Sequence, residues 1–193
     1  MTIFQIIMLL AAAFFAYQVY VHIQNIDEDK EPVFMQETEV IELQPTPDEL
    51  IAEADQAYMD GKLQRAQSLL EGIVEKHPDF AEGMNKLAFV LAKQGDKTNA
   101  LKYYKASLEI DAVDDMTHNA LATLLASMDR LQEAEEHYKR ALEIDSDYEL
   151  AWFNYANLML RLERPEEAKK MYQKALEINP DFKEAGEELE KLG

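Results

Sequence analysis

The sequence of 193 residues contains no cysteine. Disulfides, thiolate metal sites, a cysteine nucleophile and a lipid-modified cysteine are all excluded. Glycine occurs only six times, and nowhere in a pattern that would cradle a phosphate. The four histidines, His22, His77, His118 and His137, lack the His-x3-His or His–carboxylate spacing of a zinc site. Ser68, Ser107, Ser127 and Ser146 stand in no nucleophile elbow. Asp111, Asp114 and Asp115 cluster, but without the glycine of a calcium loop. Basic residues are scarce: 19 Lys and Arg face 38 Asp and Glu, a net charge of −19. Such a surface repels nucleic acid and anionic lipid and favours basic or apolar partners. Carboxylates are too abundant to nominate one acid and one base. The expectation is a protein that is not an enzyme and uses no cofactor and no metal.

What is present is a repeat. From Pro47 to Phe182 one pattern of 34 residues is written four times without insertion. Ala54, Ala88, Ala122 and Ala156 form one line, and Ala66, Ala100, Ala134 and Ala168 a second. Leu70, Tyr104, Tyr138 and Tyr172 form a third, and Val74, Leu108, Leu142 and Leu176 a fourth. Within each unit apolar residues recur at helical spacing, as in Leu87, Ala88, Leu91 and Ala92. Short polar breaks at Asp60-Gly61, Gln94-Gly95-Asp96, Met128-Asp129 and Glu163-Arg164 split each unit in two. Each unit therefore reads as an antiparallel helix pair, with small alanines where the two helices cross. Helices are expected over 48–59, 63–76, 81–93, 97–110, 115–128, 131–144, 148–162, 165–178 and 181–192. The last carries one apolar stripe, Phe182, Ala185 and Leu189, on an otherwise charged helix, which is the composition of a cap.

This pattern resembles the tetratricopeptide repeat (TPR). The fourth unit matches best, through Trp152, Tyr155, Ala156, Met159, Ala168, Tyr172, Ala175 and Pro180. The third matches through His118, Leu121, Ala122, Leu125, Ala134, Tyr138 and Ala141, with Ser146 in place of the proline. The second carries Met84, Leu87, Ala88, Leu91, Ala100 and Tyr104, and the first, the loosest, Leu50, Ala54, Ala66, Leu70 and Pro78. His118 occupies the position of Trp152 and reads as a packing residue. The resemblance implies a right-handed α-solenoid of four helix pairs with a capping helix, a concave groove, and a protein-binding role without chemistry.

Ahead of the repeats, Ile3 to Ile23 is 21 residues without a formal charge. A helix of that length spans roughly 31 Å, about the thickness of a bilayer core. Tyr17, Tyr20 and His22 gather at its downstream end like an interfacial belt. A cleaved signal peptide is the competing reading, but no Lys or Arg precedes the run, and the run continues past Ala11-Ala12-Ala13. The expectation is thus an all-α, membrane-anchored TPR protein in which a single transmembrane helix precedes the solenoid. Sparse flanking charge leans toward repeats on the outer, periplasmic side, and the compact design with a single anchor and few repeats looks like that of a bacterial inner-membrane protein. The divisions expected are an anchor at 1–26, an acidic flexible linker at 27–46, repeats at 47–80, 81–114, 115–148 and 149–182, and a cap at 183–193. Phe34 or Val40-Ile41-Leu43 would dock onto the solenoid or a partner if the linker is not simply extended.

In the TPR family the first helix of each unit lines the groove. On this chain that implies a candidate peptide-binding groove made of Tyr58 and Met59, then Asn85, Phe89 and Lys93, then Asn119, and finally Phe153, Asn157 and Arg161. Asparagines would hold the N–H and C=O of an extended peptide, and the aromatic residues would meet its side chains. Ile51, Asp55 and Met116 stand where a carboxylate-binding set would need cations. Two function classes follow. One is a membrane-tethered interaction module that recruits a partner through the groove. The other is a structural or assembly subunit of a membrane complex, held by its transmembrane helix, with Ala11, Ala12, Ala13 and Ala16 allowing close helix contact.

Overall fold

A computed structural model describes residues 3–27 and 45–193, and the chain divides into two compact units, Met1–Gln44 and Pro45–Gly193. The first unit contains α1 (Ile3–Asp27). Within it Tyr17, Gln18, Tyr20 and His22 interrupt the apolar run. A span needs about 20 consecutive, mostly apolar residues. Among the described residues no helix is long and apolar enough to cross a membrane. The transmembrane anchor expected over 3–23 is therefore corrected. With it fall the membrane-anchored description of the fold and the single-pass placement in a bacterial inner membrane with periplasmic repeats. The expected linker and its docking residues lie almost wholly outside the described residues.

The second unit is a stack of nine helices. They are α2 (Pro47–Met59), α3 (Leu63–Lys76), α4 (Ala81–Gln94), α5 (Lys97–Ile110), α6 (Asp115–Ser127), α7 (Leu131–Ile144), α8 (Glu149–Arg161), α9 (Pro165–Ile178) and α10 (Lys183–Lys191). Consecutive helices pair as α2/α3, α4/α5, α6/α7 and α8/α9, each pair packs on the next, and α10 covers α9. The first helices also touch one another, α4 with α6 and α6 with α8.

Local chemistry sets the helix ends. Thr46 and Glu49 form a reciprocal capping box: Glu49 N–H donates to Thr46 Oγ1 at 3.2 Å, and Thr46 N–H donates to Glu49 Oε2 at 2.8 Å. Asp96 and Asp114 cap α5 and α6 by accepting from Asn99 N–H and Thr117 N–H, both at 3.1 Å. The four hairpin breaks repeat one geometry. Gly61, Gly95, Asp129 and Glu163 all have positive φ, at 73°, 89°, 61° and 59°. The residue after each closes the turn by donating its N–H five residues back: Lys62 to Ala57, Asp96 to Leu91, Arg130 to Leu125 and Arg164 to Met159.

Both alanine lines are sealed in the core. Ala54 is 1% exposed and the other seven are fully buried, as a close crossing of two helices requires. Tyr104, Tyr138, Tyr172 and Leu70 are buried beside them. The fourth line differs from the sequence reading. Val74, Leu108, Leu142 and Leu176 are only partly buried, whereas Ile73, Ser107, Ala141 and Ala175 one residue earlier are wholly buried. One residue turns a helix by about 100°, which moves the core line by one register. Ser107 is accommodated there because its hydroxyl donates to the Ala81 carbonyl at 2.9 Å.

Candidate peptide-binding groove

The row of first helices α4, α6 and α8 borders a cavity of about 590 Å³. A second cavity of about 420 Å³ lies between α2 and α4 and shares Asn85 and Phe89 with the first. Phe89 stands at the junction. Its ring meets Tyr58 edge-on at 5.2 Å between centroids, and the Lys93 ammonium lies 5.1 Å above the ring. Lys93 has no ion-pair partner among the described residues, in contrast to Lys86, which pairs with Asp55 at 2.9 Å. Lys97, at the rim, is engaged by the Ser127 carbonyl at 2.7 Å and so caps the end of α6.

The exposed apolar residues of the solenoid concentrate at these cavities. Met59 is 71% exposed and lines the smaller one. Phe89, Met116 and Leu150, at 37%, 62% and 40%, line the larger. Tyr58, Met59, Asn85, Phe89, Lys93 and Asn119 from the sequence expectation are thus brought together on cavity walls.

Their polar members are not open hooks. Asn85 donates its amide to Thr117 Oγ1, and reaches Asp114 Oδ2 at 3.5 Å, joining α4 to the start of α6. Asn119 donates to the Tyr148 hydroxyl at 3.2 Å and accepts from Asn154 Nδ2 at 3.1 Å, joining α6 to α8. Burial pushes the Tyr148 phenol above its ordinary pKa. The asparagines therefore fix the spacing of the helices that form the wall.

Phe153, Asn157 and Arg161 line neither cavity. Phe153 packs against Tyr172 and Phe182, with ring centroids 5.7 and 4.9 Å away. Asn157 accepts the Tyr172 hydroxyl proton. Arg161 donates to the Ala126 carbonyl at 2.7 Å and to Asp129 at 3.2 Å, closing the C-terminal end of α6. Sequence reasoning missed Tyr148 and Asn154. Tyr148 stands in register with Phe80 and Phe182, so an aromatic recurs at that turn in three of four copies. Asn154 is one residue off the register of Asn85 and Asn119, which hid it from the 34-residue comparison.

Among the described residues no group of three or more His, Asp or Glu side chains could hold a metal ion. No curated protein matches the chain. Solved structures with the same fold include the pilF protein of Pseudomonas aeruginosa, at 22% identity and a TM-score of 0.71, covering 76% of this chain and 67% of that one. MamA is 19% identical with a TM-score of 0.65, covering 72% of this chain and 81% of its own. YrrB is 21% identical with a TM-score of 0.63, covering 74% and 73%. The model of the tetratricopeptide repeat matches residues 79–147 and again 113–181. That match spans more than half of the sequence. The chain belongs to the tetratricopeptide repeat family.

Proposed function

We propose that the solenoid is a protein-interaction module whose groove takes an extended segment of a partner protein. One observation carries this reading: Phe89, Met116 and Leu150, three of the exposed large apolar residues of the repeats, line a single cavity. Exposed apolar side chains gathered in a concavity mark a contact surface. The Asn85 and Asn119 contacts hold that surface in a fixed shape, which lowers the ordering cost of binding. YrrB, one of the structural neighbours, is described as a TPR protein with an unusual peptide-binding site, and that supports reading this groove the same way. A partner segment with large apolar residues flanked by basic ones fits both the cavity and a chain of net charge −19. Recruitment from a membrane, or assembly of a membrane complex through a transmembrane segment, forms no part of this function, because no described helix crosses a membrane.

Selection of peptides from a random display library on the full chain tests the reading. Enriched peptides should carry apolar residues beside Lys or Arg, and should lose at least about tenfold in affinity on Phe89→Ala or Met116→Ala, the range for removal of a well-packed contact. Peptides that bind both variants unchanged, or no enrichment, would remove the groove as the working surface.

A further inference from the structure

His118 on α6 and His137 on α7 meet across the third helix pair, with their Nδ1 atoms 2.9 Å apart and ring centroids 5.1 Å apart. In the other three repeats the equivalent positions hold Leu50 with Leu69, Met84 with Tyr103, and Trp152 with Met171. Residues without a group that titrates near neutral pH in three copies are thus replaced by two imidazoles in the third.

The hydrogen bonds fix the tautomers. His118 Nε2 lies 3.3 Å from the Ala112 carbonyl. A carbonyl only accepts, so His118 carries its proton on Nε2 and its Nδ1 is an acceptor. His137 must then donate from Nδ1 and keep its lone pair on Nε2. A first added proton goes to His137 Nε2 and leaves both bonds intact. A second has only His118 Nδ1, where it would set two N–H groups and two positive charges face to face. The pair holds one extra proton and rejects two unless the rings part.

The neighbours do not relieve that conflict. From α5, Lys105 and Glu109 share the cavity of about 430 Å³ beside the rings. From α7 come Arg140 and Glu133, and from the start of α6 Asp114 and Asp115. Burial is the leading influence, and it holds both imidazoles below their usual range. Arg140 adds to that effect at His118, the His118 ring and Lys105 add to it at His137, and the bond to the Ala112 carbonyl and the carboxylates only partly oppose it. A metal ion is not the better occupant: the described residues offer no third ligand, and Lys105 and Arg140 oppose a cation.

We propose that the His118–His137 contact is an acid-sensitive latch between α6 and α7, which opens the third repeat ahead of its neighbours when both rings are protonated. Because the folded-state affinities for protons are depressed, the stabilisation is full above the unfolded value of about 6.5 and is lost as pH falls through the folded values. The latch stands whether or not the groove binds a peptide. Since α6 carries Met116 and Asn119, its release would also alter the groove wall.

Hydrogen exchange on the full chain at about pH 7.5 and about pH 5, corrected for intrinsic rates, reads the latch directly. Amides of α6 and α7 should lose about tenfold or more protection relative to α8 and α9. The variant His118→Met with His137→Tyr, which copies the second repeat, should abolish the difference. Equal loss in α8 and α9, or the same acid response in the variant, would overturn the proposal. An NMR titration of the wild-type imidazoles serves even if the variant does not fold. Two separated steps are expected, and two independent titrations at the ordinary value would overturn it.

Discussion

Asn154 donates its side-chain amide to Asn119 Oδ1 at 3.1 Å, linking α8 to α6 across one repeat interface. The same Asn119 donates onward to Tyr148 at 3.2 Å. Asn119 is only 6% exposed, and its loss would leave the Asn154 amide and the Tyr148 hydroxyl without their partner. Asn119→Ala is expected to destabilise the chain by about 1–2 kcal/mol in urea unfolding. A cycle with Asn154→Ala should return a coupling of about 0.5 kcal/mol or more. Strict additivity would show that the two amides do not act on each other.

Phe153, a candidate groove residue in the sequence, packs against Tyr172 and Phe182. Phe153→Ala should therefore act on stability, by about 2–3 kcal/mol for a partly buried aromatic. Phe89→Ala, whose ring is partly open to the cavity, should cost less stability. Thermal melts of the two variants side by side distinguish a packing residue from a contact residue.

Glu163 holds φ at 59° in a turn where the first two repeats have glycine. A left-handed backbone costs a side-chain-bearing residue about 1 kcal/mol, while glycine costs part of that back through unfolded-state entropy. Glu163→Gly should raise stability by roughly 0.5 kcal/mol. Asp129 is the poorer site for this test, because it also pairs with Arg161 at 3.2 Å. A fall in melting temperature for Glu163→Gly would show that the glutamate has a compensating role.

Ala134 is wholly buried where α6 and α7 cross. Leucine there would force the helices apart, and Ala134→Leu should cost about 1–3 kcal/mol. Ala100→Leu, at the equivalent crossing of α4 and α5, should behave alike. Unequal costs measured by chemical denaturation would mean that the copies differ in how far they yield.

Burial pushes the Tyr138 and Tyr172 phenols up to about 12, and Tyr104 and Tyr155 higher still. A raised folded-state value favours the neutral phenol in the fold. The resulting stabilisation is full below the unfolded value of about 10 and is lost as pH rises through the folded values. An ultraviolet titration of phenolate should show a group of tyrosines ionising only as the helix signal collapses, above about pH 11. Ionisation of every tyrosine near pH 10 with the helices intact would contradict the buried line.

Much of this architecture was legible because it is local and repeated. The 34-residue period, the two alanine lines and the hairpin breaks follow from spacing alone, and the helices start and stop within about two residues of expectation, the usual ambiguity of helix ends. The left-handed turn at Asp129 and Glu163 is a finding of the structure, although both positions align with Gly61 and Gly95. The groove was legible in part. Its six members on α2, α4 and α6 keep their register, whereas Phe153, Asn157 and Arg161 meet α9, α10 and the end of α6, neighbours that a repeat pattern does not specify.

By itself the sequence determined the helix pairs, their order and the small residues at each crossing, because those depend on spacing along one chain and on chemistry that repeats. Only the tertiary structure decided which line of residues faces the core, since a shift of one position rotates a side chain by about 100°. It also decided which side chains meet across helices. His118 is read along the chain as a packing residue, and nothing in the spacing links it to His137. The antiparallel crossing of α6 and α7 brings their Nδ1 atoms to 2.9 Å, because contact between elements is set by their packing and not by distance along the sequence.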